Sequence, residues 1–252
     1  MEKVVTVISG VIGILVSIYG AVLYIDSEVN EVVEKRLKPY EQFAIANSIS
    51  GEKAIESYDF VLDRLHKGNV DELMLVSIVE SYLAEIAYHD YPHKYLHKVN
   101  GILKLVGDEV PLTASMSESL GWVYLSTDQL KKANYYFLRS ISLYRQDEIK
   151  ESASSYYGLF LSHLASNELE KAIGFHDKSW ELDYVTYNPY TVLSTHFGEE
   201  DWHKVLFKVY PNLEKNYREF VKYTVTVYDL KVEERIKVKE VNIDILNASM
   251  TE

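Results

Sequence analysis

Apolar positions along this chain fall into three regimes. Residues 4–25 carry no charged side chain. As one helix they would run about 33 Å, enough to cross a hydrocarbon core of about 30 Å. The run exceeds the roughly 7–15 residues of a signal-peptide core, and it lacks paired small residues for cleavage: Ala21 follows Tyr19 at two positions, and Gly20 follows Ile18. A transmembrane anchor over residues 1–25 is therefore expected. Residues 26–39 extend the helical period as a juxtamembrane stem, with Val29, Val32, Val33 and Leu37 on one face, until Pro39 restricts Lys38.

From residue 40 to 183 the period stays helical, with breaks at Ser50-Gly51, Gly68-Asn69, Tyr91-Pro92, residues 107–112, Thr127-Asp128, Gln146-Asp147 and Ser166-Asn167. Such short connections predict antiparallel helix pairs. Residues 184–221 predict a helical cap: one helix over 199–209, with Trp202, Val205, Leu206 and Val209 on one face, and a second over 212–222 that Pro211 would open. At 222 the period changes. Residues 222–228 are β-branched and aromatic, 235–239 alternate, and Val241, Ile243 and Ile245 alternate again after a one-residue slip that suits a bulge. A β-hairpin and tail over 222–252 is the expectation. A lone hairpin is marginal in water, so it should pack on the parent domain or pair with a partner strand.

The helical region repeats itself. Leu120, Leu125, Leu130, Lys132, Ala133, Ser140 and Leu143 recur 39 residues later as Leu159, Leu164, Leu169, Lys171, Ala172, Ser179 and Leu182. Leu120-Gly121, Tyr124, Ala133, Phe137 and Ser140 together resemble the tetratricopeptide repeat family. The second copy departs from that pattern: Phe160 stands where Gly is expected, and His163 and His176 replace aromatics. The offset also exceeds the usual 34 or so. Residues 43–65 form a weaker copy around Ala54 and Tyr58, and residues 70–106 a degenerate one. The resemblance implies an α-solenoid of helix pairs whose first helices line a protein-binding groove. In that frame Phe43, Asn47, Glu118, Trp122, Tyr157 and Leu161 face the groove; for Trp122 the competing reading is a side chain covered by the next repeat. The fold class expected is thus mainly α, with an N-terminal transmembrane helix, a solenoid of such pairs over 40–183, a small helical cap and a β-hairpin.

Composition narrows the function. Hydrophobic residues make up 47% of the chain, enough for a packed core, and 21 tyrosines suit both packing and binding. The net charge is −12, with no basic stripe to neutralise phosphates, so nucleic acid is excluded as a partner and membrane attachment must come from apolar insertion. The absence of Cys excludes disulfides, thiolate metal sites and a thiol nucleophile. No phosphate-binding glycine loop and no serine elbow is present. The most enzyme-like cluster is His89, Asp90, His93 and His97. His93 and His97 are spaced to share a helix face, but Lys94 stands where a zinc-protease Glu would follow. No metal, cofactor or catalytic residue is assigned. Glu199, Glu200 and Asp201 read as a favourable helix start, and Asn247-Ala248-Ser249 as a weak glycosylation pattern.

Ser9, Gly13, Ser17 and Ala21 give the anchor a small-residue face on which another transmembrane helix could pack. Lys3 precedes the span; Asp26, Glu28, Glu31 and Glu34 follow it, ahead of Lys35, Arg36 and Lys38. The near flanks favour an extracytoplasmic body, and a strict count of Lys and Arg the opposite; the near flanks are given more weight. The sequence thus predicts a non-enzymatic, single-pass, membrane-tethered scaffold that binds other proteins. Its main rival is a structural subunit of a larger membrane assembly, and a weaker one a metal-dependent enzyme using His89–His97.

Overall fold

The computed structural model describes residues 19–20, 22–30, 37–65, 72–89, 92–106, 110–187 and 203–235. These residues are mainly helical and, among them, no β-strand forms. The helices are α1 (Lys38–Ala46), α2 (Glu52–Leu65), α3 (Glu72–Ala87), α4 (Leu96–Leu105), α5 (Ala114–Ser126), α6 (Leu130–Gln146), α7 (Ala153–Ala165), α8 (Leu169–Leu182), α9 (His203–Val209) and α10 (Leu213–Arg235). A 3-10 turn, Pro92–Tyr95, precedes α4. The chain forms two compact units, Met1–Ile78 and Val79–Glu252, so the division falls within α3.

In the first unit α1 and α2 pair as a hairpin. Pro39 stands in the first turn of α1, where its missing N–H costs nothing, and Gly51 takes the left-handed turn conformation before α2. The expected small and aromatic positions are both buried, Ala54 at 0% and Tyr58 at 3% exposure. The Tyr58 hydroxyl donates to Asn47 Oδ1 at 2.7 Å, and its ring lies 6.3 Å from that of Phe43. Residues 22–30 are helical. Most of the proposed membrane span, including Ser9, Gly13, Ser17 and Ala21, lies outside the described residues. Among the described residues no helix is long and apolar enough to cross a membrane.

The second unit is built on two hairpins, α5–α6 and α7–α8, that obey the 39-residue offset in detail. Both α5 and α7 start and stop at matching positions. Asp128 and Asn167 both adopt φ of 60°, and both turns close with matching bonds of 2.9 Å, Gln129 N–H to Tyr124 O and Glu168 N–H to His163 O. Ala133 and Ala172, Ser140 and Ser179, and Leu120 and Leu159 are all fully buried. The first helices, α5 and α7, are buried nearly all round, whereas α6 and α8 bury one stripe. This is the division expected when central helices are covered on both sides and outer ones face water.

One ring ties the hairpins together. Phe137 of α6 is fully buried against two glycines on different helices. A Cβ at Gly121 of α5 would stand 2.5 Å from the ring, and one at Gly158 of α7 would stand 2.2 Å from it. The equivalent site in the second hairpin inverts the sizes. Phe160 replaces the glycine, and the smaller His176 replaces the phenylalanine, with their rings 5.2 Å apart. The departures from the repeat pattern are therefore compensating: the bulk moves from the second helix to the first.

The C-terminal helices close the ends of the central pair. The Tyr210 hydroxyl donates to the Leu125 carbonyl at 2.6 Å, and Asn216 Nδ2 donates to the Leu164 carbonyl at 2.6 Å. These carbonyls occupy equivalent places in the last turns of α5 and α7, where helices leave acceptors unsatisfied. On α10, Leu213, Tyr217, Phe220, Val221 and Thr224 are buried at helical spacing. Phe220 lies 4.6 Å from Phe160 and 4.7 Å from His176.

This overturns the strand expected over 222–228, which is helical within α10. The apolar period of 3.6 that begins at Leu213 runs on through Thr224 and outweighs local β-propensity. Thr224 also spends its hydroxyl inside the helix, on the Phe220 carbonyl at 2.7 Å. The remainder of the expected hairpin, from residue 236 on, lies outside the described residues, as do residues 188–202 of the expected cap.

Two outcomes follow. Gly158→Ala gains about 1 kcal/mol of helix propensity but meets a ring with nowhere to go, at a cost of about 1–3 kcal/mol. Denaturant unfolding should show net destabilisation that shrinks or reverses in a Phe137→Leu background; an equal effect in both backgrounds would contradict the clamp. Burial pushes the His176 imidazole down to about 3 from its usual 6.5. The unfolded chain then takes up a proton that the fold refuses. Stability should fall as pH drops from 6.5 towards 3, by up to about 1.4 kcal/mol per unit from this group. His176→Leu should remove that part of the slope.

Candidate functional site

Burial divides the expected groove residues. In the first unit Phe43 is half-buried and Asn47 exposed. In the second unit Glu118 is half-buried, while Trp122, Tyr157 and Leu161 are buried at 4%, 4% and 0% exposure. Trp122 fills the seam between hairpins, edge-on to Phe137 at 5.1 Å and 6.4 Å from Tyr157. The reading of Trp122 as covered by the next repeat therefore describes it better than an open groove face, and the same correction applies to Tyr157 and Leu161. The physical reason is packing across the seam: Phe137 and Tyr157 cover Trp122, and Phe160 and Tyr187 cover Tyr157.

What stays open lies between the end of α3, the Trp122–Ser126 turn of α5, and α9. There a cavity of about 220 Å³ is lined by Ala87, Tyr88, His89, Pro92, Trp122, Ser126 and Val205. The Trp122 indole N–H donates to Ser154 Oγ at 3.0 Å. Ser154 is also within hydrogen-bonding reach of the Tyr88 and Tyr187 hydroxyls. Glu118, one turn before Trp122, accepts at Oε2 from the Ser155 hydroxyl at 2.8 Å, and Ser155 in turn lies 3.0 Å from Ser140 Oγ. A row of buried serines on α6 and α7 thus holds the carboxylate in place. Across from it, Thr113 caps the start of α5 by accepting from the Met116 N–H at 3.1 Å, and donates to Glu80 of α3.

Local chain geometry delivers the two tyrosines that the repeat pattern left out. Tyr88 ends the last turn of α3, its N–H donating to Ala84 O at 3.1 Å. Tyr187 is delivered by a turn after α8. Asp183 Oδ1 accepts from the Val185 N–H at 3.1 Å and the Thr186 N–H at 3.0 Å, which reverses the chain. The Tyr187 ring then rests 4.9 Å from that of Tyr157.

The electrostatics of the cleft are those of an acidic concavity. Crowding by its walls, then Glu118, raises the Tyr88 phenol, although 69% of that side chain is open to solvent. A side chain is both crowded and open when it stands in a hollow. Burial, then Glu118 and Glu80, raises Tyr144. Burial pushes Tyr187 up to about 12, with Tyr88, Glu118 and Asp183 adding to the rise. The charged groups acting on these three phenols are carboxylates.

The histidine cluster does not assemble as a helical metal motif. His93 falls in the 3-10 turn and His97 in α4, both exposed, while the His89 ring packs 4.9 Å from that of Tyr95. Asp90 lies outside the described residues. Among the described residues no group of three His, Asp or Glu side chains is placed to hold a metal ion. No protein-family model, curated protein or solved structure matches this chain.

Tyr88 and Tyr187 escaped the sequence reading because neither sits in the repeated register. The one available signal for Tyr187 was Asp183, a turn-forming residue at the helix end. The acidic cleft has a spectroscopic signature. Glu118→Gln should move part of the phenolate absorbance titration to lower pH, since it removes the charge shared by Tyr88, Tyr144 and Tyr187. An unchanged titration curve would show that Glu118 does not face them.

Proposed function

We propose that this chain is a protein-binding module, built on stacked tetratricopeptide-like helix pairs and tethered to a membrane by residues 4–25. The observation that carries the reading is the open, tyrosine-walled cleft at Tyr88, Glu118 and Tyr187. Aromatic side chains that stay partly exposed on a rigid helical frame are typical binding hot spots. The cleft gathers Tyr88 just after α3, Glu118 of α5, Ser154 of α7 and Tyr187 after α8, and such a set of aromatic and polar side chains suits recognition. The stacking of α5–α6 on α7–α8 supports a short solenoid, in which repeat units present one extended surface. The tether rests on the uncharged, apolar composition of residues 4–25, which also supplies the reading of a single-pass protein with an extracytoplasmic body.

The competing reading is a permanent subunit of a membrane assembly. Purification of the full chain in mild detergent separates the two. A binding module is expected largely alone or with substoichiometric partner, and Tyr88→Ala with Tyr187→Ala should release that partner while leaving the thermal midpoint within a few degrees. Stoichiometric co-purification that survives both substitutions would instead favour the subunit.

A further inference from the structure

The cleft is specific enough in its chemistry to identify what it takes. Its floor is the cavity of about 220 Å³, below the roughly 300–1,000 Å³ of small-molecule sites, and so sized for a side chain rather than a whole ligand. Ala87, Pro92, Val205 and the Trp122 ring make that floor largely apolar, with His89 and Ser126 as its polar members. The rim is different. Beside Trp122 lies the Ser154 hydroxyl, engaged by its indole N–H, and one turn earlier on α5 is the Glu118 carboxylate, fixed through Oε2 by Ser155. Above these stand the phenols of Tyr88 and Tyr187.

Such a rim attracts a cation and repels an anion. The whole chain, at −12, adds to that preference. Among cationic side chains, a guanidinium suits this rim better than an ammonium. It offers five N–H donors in a plane to acceptors spread over several directions, and it stacks on aromatic faces. A carboxylate presenting two oxygens is also its best single partner.

The geometry points to an arginine of a partner protein as the group this cleft binds, its guanidinium between Glu118 and the phenol oxygens of Tyr88 and Tyr187. A neighbouring apolar side chain of the same segment sits in the cavity beside Trp122. This rests on the protein-binding reading above and gives it a recognition rule: an arginine next to a large apolar residue. The apolar anchor supplies burial, and the ion pair at the rim supplies orientation and selectivity. Glu118 is the specificity-determining residue.

Random dodecapeptides displayed on phage and selected on the purified full chain test the rule. The expected result is enrichment of arginine beside Leu, Ile, Met or Phe, in peptides that no longer bind the Tyr88→Ala variant. For a selected peptide made synthetically, Glu118→Gln should weaken binding at least about tenfold at low salt, as should citrulline in place of arginine. Glu118→Gln keeps an acceptor for Ser155, so its fold should match the parent chain by circular dichroism. Peptides that depend on Tyr88 but carry lysine alone, acidic residues or no charge would overturn the arginine assignment and leave the protein-binding reading standing. Failure to enrich any peptide that depends on Tyr88 would overturn both.

Discussion

The second unit depends on one contact, the Phe137 ring held between Gly121 and Gly158. The three residues come from three successive helices, and each glycine leaves a space that a single methyl group would occupy. A phenylalanine ring in such a slot cannot shift without moving a backbone. The contact therefore sets the spacing of α5, α6 and α7 together, and with it the position of everything those helices carry. Trp122 is edge-on to the same ring, and its indole reaches from that ring to Ser154. The candidate site is thus one side chain removed from the central clamp.

The second hairpin shows that the constraint is on volume rather than on residue identity. Where the first pair matches a glycine to a phenylalanine, the second matches a phenylalanine to a histidine. The inversion is stabilised from outside by Phe220 of α10, which packs on both rings. This exchange makes the C-terminal helices integral to the unit. Tyr210 and Asn216 donate to the last turns of α5 and α7, so the covering layer also serves backbone acceptors at those helix ends.

Much of this was legible in the sequence, for identifiable reasons. The Leu, Ala and Ser positions shared at a 39-residue offset mark small and large sites in a packed interface, and the fold places them at matching depths. The turns were legible too, since Asp128 and Asn167 are among the residue types that tolerate left-handed backbone. Gly158 was not, because its role appears only against Phe137, on the preceding hairpin and outside its own repeat frame. The burial of Trp122 and Tyr157 was not legible either, because it depends on Phe137 from the neighbouring helix and on Tyr187 from outside the repeat frame. The helix through residues 222–228 was hidden for a related reason. β-branched residues there advertise a strand, whereas burial of Phe220, Val221 and Thr224 on one helical face decides the outcome.

The second unit is thus a clamp-centred helical unit, and binding is assigned to the hollow beside Trp122, where Tyr88 lines the wall and Glu118 lies one turn back along α5. The most direct measurement is photocrosslinking in the native host. A photoreactive amino acid would be installed in the full chain at Tyr88, and separately at Tyr135, a 59%-exposed tyrosine on the outer face of α6. A discrete protein adduct is expected from position 88 and none from position 135. Adducts of equal yield and identity from both positions, or from 135 alone, would contradict it.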